Sequence, residues 1–164
     1  NTLVLFTGDN GTGRQITSKL EGMDLKGGKG TMTEAGTRVP LIAWWPGTIE
    51  PGVRDEFFCL ADVLPTITSI AGIKLDGDVD GMDLSHNLLG KKGNDRDHVF
   101  VFYKNEAFVR DAHFRLHEKG ELFFIPVTED ETRYSEKISD SPEHKEAENR
   151  LQKLLDGYLA IPRM

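Results

Sequence analysis

A carboxylate and a carboxamide stand side by side at the end of an apolar run: "VLFTGDNGTG" places Asp9 and Asn10 directly after the β-prone stretch that starts at Val4. Their oxygens are hard donors of the kind a divalent cation takes, and ligands of open α/β sheets gather at the carboxyl ends of strands. The same residue types also build tight turns, because Asp and Asn bond to their own following backbone and Gly bends freely. Two donors do not complete a metal site in either case, since calcium takes about six to eight oxygens and magnesium about six. Asp9 and Asn10 are therefore candidates for part of a metal site whose other ligands come from elsewhere.

The second group of residues with chemistry to offer is "KGGKGTMTEAGTRVPLIAWWPG". Lys29 stands between Gly28 and Gly30, where the backbone can bend closely around an anion and an ammonium can reach one of its oxygens. The G-x-x-x-x-G-K-[ST] phosphate-loop pattern fails here, because Gly30 follows Lys29 where Ser or Thr is required. No G-x-G-x-x-G fingerprint follows a strand either. A solvated loop lysine is the bland alternative for Lys29. Glu34 and Arg38 have i, i+4 spacing with Gly36 between them, which suits a loop or a structural pair better than a long helix.

These groups need elements to hold them. The unbroken apolar character of residues 3–6 suits a strand covered on both faces, as in a parallel sheet between helices. The next comparable run is Val39 to Trp45, in which Trp44 and Trp45 are expected to pack in a core. Few other runs qualify before residue 95, so the sheet is expected to be partial and the chain a piece of something larger. "DVLPTITSIAG" predicts a helix from about Asp62, with Pro65 early enough to be tolerated and Gly72 as its stop. "DGDVDGMDLSHNLLGKKGNDRDH" is expected to be mostly loop. From Val99 the segments "VFVFYKN", "EAFVRDA", "HFRLHEK" and "ELFFIPV" alternate and break like an antiparallel meander. The chain then ends in a helix with Ser141 as N-cap, Pro142 at the first position, and Ala147, Leu151, Leu154, Leu155 and Tyr158 on one face. The organisation is thus an α/β portion over residues 1–95 and a small antiparallel sheet with a C-terminal helix over 96–164.

Composition narrows the function classes. The chain has 164 residues and a formal net charge of −7, which argues against a phosphate-tracking nucleic-acid surface. Residues 1–50 are charge-balanced, whereas the tail from Val127 onward is acidic. No apolar stretch reaches the length of a membrane span. The single Cys59 sits in "FFCLADVL", where a buried structural thiol is expected. His86, His98, His113, His117 and His144 form no H-x-x-x-H pair on a convincing helix, and structural or surface roles are expected for them.

The order of "LVLFTGDNG", "GGKGTMTEAGTRVPLIAWWPG", "LADVLPTITSIAG" and "DGMDLSHNLLG" resembles the C-terminal half of type I sulfatases, the arylsulfatase group of the alkaline-phosphatase-like superfamily. The likeness is strong over residues 1–90 and continues more weakly through "FVRDAHFRLHEKGELFFIP". It implies an α/β fold: the C-terminal part of an alkaline-phosphatase-like sulfatase, with a partial sheet followed by a small antiparallel sheet and a terminal helix. It also implies that Asp9 and Asn10 bind an active-site Ca²⁺ and that Lys29 contacts the sulfate group. Glu34 and Arg38 match the family pattern in structural roles, and Ala35 departs from it where Gly is usual.

The family nucleophile is a formylglycine made from the Cys of a C-x-[PA]-x-R motif, which Cys59 does not match. The resemblance therefore implies that the nucleophile and the remaining calcium ligands lie in an N-terminal part of the same protein. The isolated chain is then expected to be inactive, with a sulfate ester, including a sulfated carbohydrate, as substrate and no nucleic-acid or membrane partner. A periplasmic, secreted or lysosomal compartment is implied in the same way. Arg14 and Lys19 lie in the insertion "GTGRQITSKLEGMDLK" between the two motifs, at an expected pocket rim where they would meet an anionic or sugar substrate. Two alternatives stay open: a phosphate or phosphonate monoester hydrolase of the same superfamily, and a non-catalytic binding module.

Overall fold

The computed structural model describes residues 1–20, 22–125, 136–137 and 141–161. They form two compact units, one of residues 1–7 and 41–99 and the other of residues 8–40 and 100–164.

In the first unit, β1 (Val4–Thr7) pairs with β4 (Leu41–Trp44). The pairing is antiparallel, with Val4 opposite Trp44 and Phe6 opposite Ile42, so the expected parallel pairing does not occur between these strands. Among the described residues nothing covers one of the two faces: Val4, Phe6, Ile42 and Trp44 share it, with Phe6 63% and Trp44 59% exposed. The expected core packing of Trp44 is likewise not found, and Trp45 lies just past the strand end. Apolar side chains on both faces of a strand signal that both faces are sticky. They carry no signal for strand direction, nor for what covers them.

The expected helix near Asp62 is α2 (Val63–Ile70), entered through a 3-10 turn over Leu60–Asp62. Pro65 sits in its first turn and Gly72, at φ +68°, follows its end. Asp62 precedes α2 without capping it. Its fully buried carboxylate instead accepts from the Cys59 and Met82 backbone N–H groups, each at 2.7 Å, and from Arg96 Nε and Nη2 at 2.9 and 2.5 Å. One carboxylate thus ties three stretches of loop-rich chain together, which the segment needs because it contains so little regular structure. Cys59 is half-buried at the N-cap of the 3-10 turn. The long Gly- and Asp-rich segment is loop, as its composition predicts, except for the single turn α3 (Ser85–Leu88).

The second unit contains the expected meander: β5 (Val99–Tyr103), β6 (Glu106–Arg110), β7 (Phe114–His117), β8 (Leu122–Phe124) and β9 (Glu136–Lys137) pair in chain order. Pro126 and Val127, at the end of the expected "ELFFIPV" strand, lie outside the described residues. The final helix, α4 (Pro142–Leu159), begins as predicted, with Ser141 Oγ accepting from the His144 N–H at 3.2 Å. Its face of Ala147, Leu151 and Leu155 packs on Ala107, Val109, Phe114, Leu116 and Leu122 of the sheet, and Tyr158 stacks on Phe100 with ring centroids 4.5 Å apart. Burying one stripe of an amphipathic helix on one sheet face is what stabilises both elements.

On the same sheet His117, at the end of β7, is packed between the rings of Phe108 (5.5 Å) and Phe123 (5.3 Å). Its Nε2 is buried with no hydrogen-bond partner among the described residues. Burial, then the neighbouring Arg115 cation, lowers its pKa, against weaker upward pulls from Glu121 and Glu106, while Lys119 adds to the lowering. A histidine whose folded pKa is depressed contributes stability that is complete above its unfolded pKa of about 6.5 and is lost as pH falls below that value. We expect the melting temperature to drop between pH 7 and pH 5, and His117→Phe, which keeps a ring in the slot, to flatten that drop.

Candidate metal and anion site

β1 ends at Thr7, and the chain passes through Gly8 to Asp9, which is exposed, and Asn10, which is half-buried. The following residues do not wander off as a solvated loop. The Gly11 N–H donates to the Gly36 carbonyl at 3.0 Å, the Lys29 N–H to the Thr12 carbonyl at 2.9 Å, and the Gly27 N–H to the Ile16 carbonyl at 2.9 Å. Residues 11–16 are therefore laced, main chain to main chain, onto residues 27–36. The segments carrying Asp9–Asn10 and Lys29, separated by about twenty residues in sequence, are in this way held side by side.

Glycine makes this close approach possible. A methyl group at Gly11 would lie 1.9 Å from the Ala35 carbonyl oxygen, and one at Gly36 would lie 2.3 Å from the Thr31 carbonyl oxygen. Neither obstacle is a flexible side-chain end that could move aside. Gly11→Ala is accordingly expected to cost about 1–3 kcal/mol, through a forced backbone shift. The measurement is a urea unfolding curve with an unchanged m value, and a midpoint equal to that of the unaltered protein would contradict the packing described.

Between the two laced segments, β2 (Thr17–Leu20) and β3 (Met23–Lys26) form a hairpin closed by Gly22 at φ +86°. Lys19 lies opposite Asp24 and forms an ion pair with it at 2.5 Å, both side chains largely exposed. Arg14 turns back onto the Lys29 loop, with Nε donating to the Lys29 carbonyl at 2.9 Å and Nη2 to the Gly30 carbonyl at 2.6 Å. Lys29 itself is exposed, next to the buried Gly28. Thr31 Oγ1 and the Thr31 N–H both donate to the Gly28 carbonyl, at 2.7 and 2.9 Å, which tightens the turn around Lys29.

Behind the loop, α1 (Glu34–Thr37) is a single helical turn. The Arg38 N–H closes it on the Glu34 carbonyl at 2.8 Å, but the buried Glu34 carboxylate has other partners. It accepts from Arg110 Nη1 at 2.5 Å and Arg115 Nη1 at 3.3 Å. Arg110 and Arg115 are directly opposed on β6 and β7, a like-charge pairing that is unfavourable by itself. Glu34 neutralises it from above, so the sheet and the Lys29 loop each complete the other. Arg115 also lies over the rings of Phe108 and Phe123, at 5.5 and 5.0 Å. The long-range partners of Glu34, and the Asp62–Arg96 pair, were not apparent in the sequence. The available signal was a lone acidic residue within an otherwise apolar or Gly-rich stretch.

Asp9 and Asn10 offer a carboxylate and a carboxamide, an oxygen donor set that suits a hard cation, with further ligands still required. Among the described residues no group of three His, Cys, Asp or Glu side chains gathers as a metal centre. Three histidine side chains serve other contacts: His86 meets Asp95 at 3.0 Å, His98 meets Asp97 at 2.5 Å, and His144 lies edge-on to Phe114. No helix among the described residues is long and apolar enough to cross a membrane.

The sulfatase family model matches residues 1–73. Arylsulfatase A of Homo sapiens is 41% identical over 125 residues, a match covering 71% of this chain and 24% of that protein. Among solved structures, a 2-O GAG sulfatase superposes with a TM-score of 0.68 at 20% identity, covering 96% of this chain and 36% of the other. A phosphonate monoester hydrolase from Silicibacter pomeroyi superposes with a TM-score of 0.60 at 25% identity, covering 80% of this chain and 30% of the other. The chain thus spans about a quarter of the human relative and about a third of each of these structures.

Proposed function

The chain belongs to the sulfatase family, and we propose that it is the C-terminal portion of an enzyme that hydrolyses sulfate esters with a formylglycine nucleophile and calcium. On this reading it supplies part of the metal and sulfate pocket but not the nucleophile, and is inactive alone. The observation that carries the proposal is the lacing of the Asp9–Asn10 segment onto the Lys29 loop by the Gly11–Gly36 and Lys29–Thr12 backbone bonds. A solvated turn and a solvated lysine would have no need of it.

The roles follow from side-chain chemistry. Asp9 and Asn10 would hold the cation through oxygen. Calcium, when bound, supplies positive charge facing the sulfuryl oxygens, and formylglycine supplies the attacking oxygen. Lys29 would donate a charge-assisted hydrogen bond from Nζ to a non-bridging sulfate oxygen, orienting the group and stabilising the charge that builds up on it as the ester bond breaks. The buried Gly28 beside it packs against Ala35 and Gly36, where a Cβ would lie 2.7 Å from the Ala35 carbonyl carbon, so the absence of a side chain lets the turn that carries Lys29 close on that backbone.

The test uses the native full-length protein. Peptide mapping is expected to find an upstream C-x-[PA]-x-R segment whose Cys carries the mass change of formylglycine, and p-nitrophenyl sulfate is expected to be turned over and to lose turnover on calcium chelation. Absence of both the modified residue and sulfate release would overturn the reading. The likeness to a phosphonate monoester hydrolase favours a second one. Faster turnover of p-nitrophenyl phenylphosphonate than of the sulfate would select it.

A further inference from the structure

The Lys29 peptide is gripped from both sides. Its N–H donates to the Thr12 carbonyl at 2.9 Å, and its carbonyl accepts from Arg14 Nε at 2.9 Å, while the next carbonyl, that of Gly30, accepts from Arg14 Nη2 at 2.6 Å. Gly30 has φ +75°, which only glycine adopts readily, so the two carbonyls turn toward one guanidinium. A Cβ at Gly30 would sit at ordinary contact distance from Arg14 Nη2 (3.5 Å) and the Tyr103 hydroxyl (3.4 Å), so it is the backbone conformation and not crowding that calls for glycine there. The planar, always-charged fork of Arg matches two adjacent carbonyls as a lysine ammonium cannot.

We propose that Arg14 is a positioning residue for Lys29. By fixing the Lys29 and Gly30 carbonyls it sets the direction in which the Lys29 ammonium leaves the loop, and it acts through Lys29 rather than by meeting substrate itself. This differs from the rim contact with an anionic or sugar substrate expected of Arg14 from the sequence, because Nε and Nη2 are engaged by the main chain. The inference rests on the assignment of Lys29 to the substrate anion.

The experiment is a double-mutant cycle in the full-length enzyme, with Arg14→Gln, Arg14→Lys, Lys29→Ala and the combinations with Lys29→Ala. It is read as kcat and KM on a small neutral aryl sulfate and on one carrying a second anionic group, with the melting temperature recorded for each variant. We expect Arg14→Gln and Arg14→Lys each to lower kcat about 10- to 100-fold, the scale on which a slightly misplaced group acts. The loss should be equal on the two substrates and should disappear in the Lys29→Ala background, because a mispositioned group that is already absent cannot be lost again. Full activity in Arg14→Lys, a loss that multiplies with that of Lys29→Ala, or a KM effect confined to the doubly charged substrate would each overturn the proposal. A Lys29→Ala enzyme with unchanged kinetics would instead overturn the assignment of Lys29.

Discussion

On the proposed reading, Lys29→Ala in the full-length protein is expected to reduce kcat on a sulfate ester by about 10²–10³-fold, the range seen when one preorganised donor to a developing anion is removed. The physical ground is that Lys29 is presented, not merely exposed. Its peptide N–H is bonded to Thr12, the turn around it is closed by Thr31 on Gly28, and its carbonyl is held by Arg14. A donor whose backbone is held in place before the reaction has less to reorganise when charge builds up on the sulfate, so its removal should show in kcat more than in KM. The melting temperature should change little, because an exposed side chain contributes little to packing. Steady-state kinetics on an aryl sulfate decides the matter, and a kcat within twofold of the unaltered enzyme would remove Lys29 from the site.

The largest stability effect is expected at Asp62. Asp62→Ala removes one buried carboxylate that accepts from two backbone N–H groups and from both Nε and Nη2 of Arg96, and those two guanidinium nitrogens lose their carboxylate while Nη1 keeps its bond to the His98 carbonyl. Breaking a buried pair by deleting one partner costs about 3–5 kcal/mol. Asp62→Asn should cost less than Asp62→Ala but still measurably destabilise, because the amide keeps one acceptor oxygen and turns an NH₂ toward groups that are themselves donors. Combining Asp62→Ala with Arg96→Leu should recover part of the loss, since it removes the buried cation that has lost this carboxylate. Equilibrium unfolding in urea measures all three, and additive losses in the double variant would contradict the coupling.

Several features were legible from residue type and local spacing alone. Ser141 and Pro142 start α4 and its apolar stripe packs on the sheet, because capping and 3.6-residue periodicity are local properties. The meander from Val99 follows from alternation and turn residues in the same way, and α2 from its Pro65 and Gly72 punctuation. Type and position alone left Asp9 and Asn10 open to a tight turn and Lys29 to a solvated loop lysine, and it was the resemblance to the sulfatase motifs that singled them out as candidate site residues.

The tertiary structure decided what depends on partners distant in sequence. The antiparallel direction of β1 and β4, and the exposure of Phe6 and Trp44, could not be read from apolar runs that look the same in either direction. That Glu34 neutralises two opposed arginines more than seventy residues away, rather than Arg38 four residues on, depends on the register of β6 with β7. That Asp62 binds Arg96 instead of capping α2 depends on loops whose composition specifies no conformation. Arg14 was visible as a charge on an insertion, and only folding turned its guanidinium back onto the carbonyls of Lys29 and Gly30. A residue's chemistry is carried by its side chain and can be named from the sequence, whereas the group it acts upon is chosen by where the chain returns.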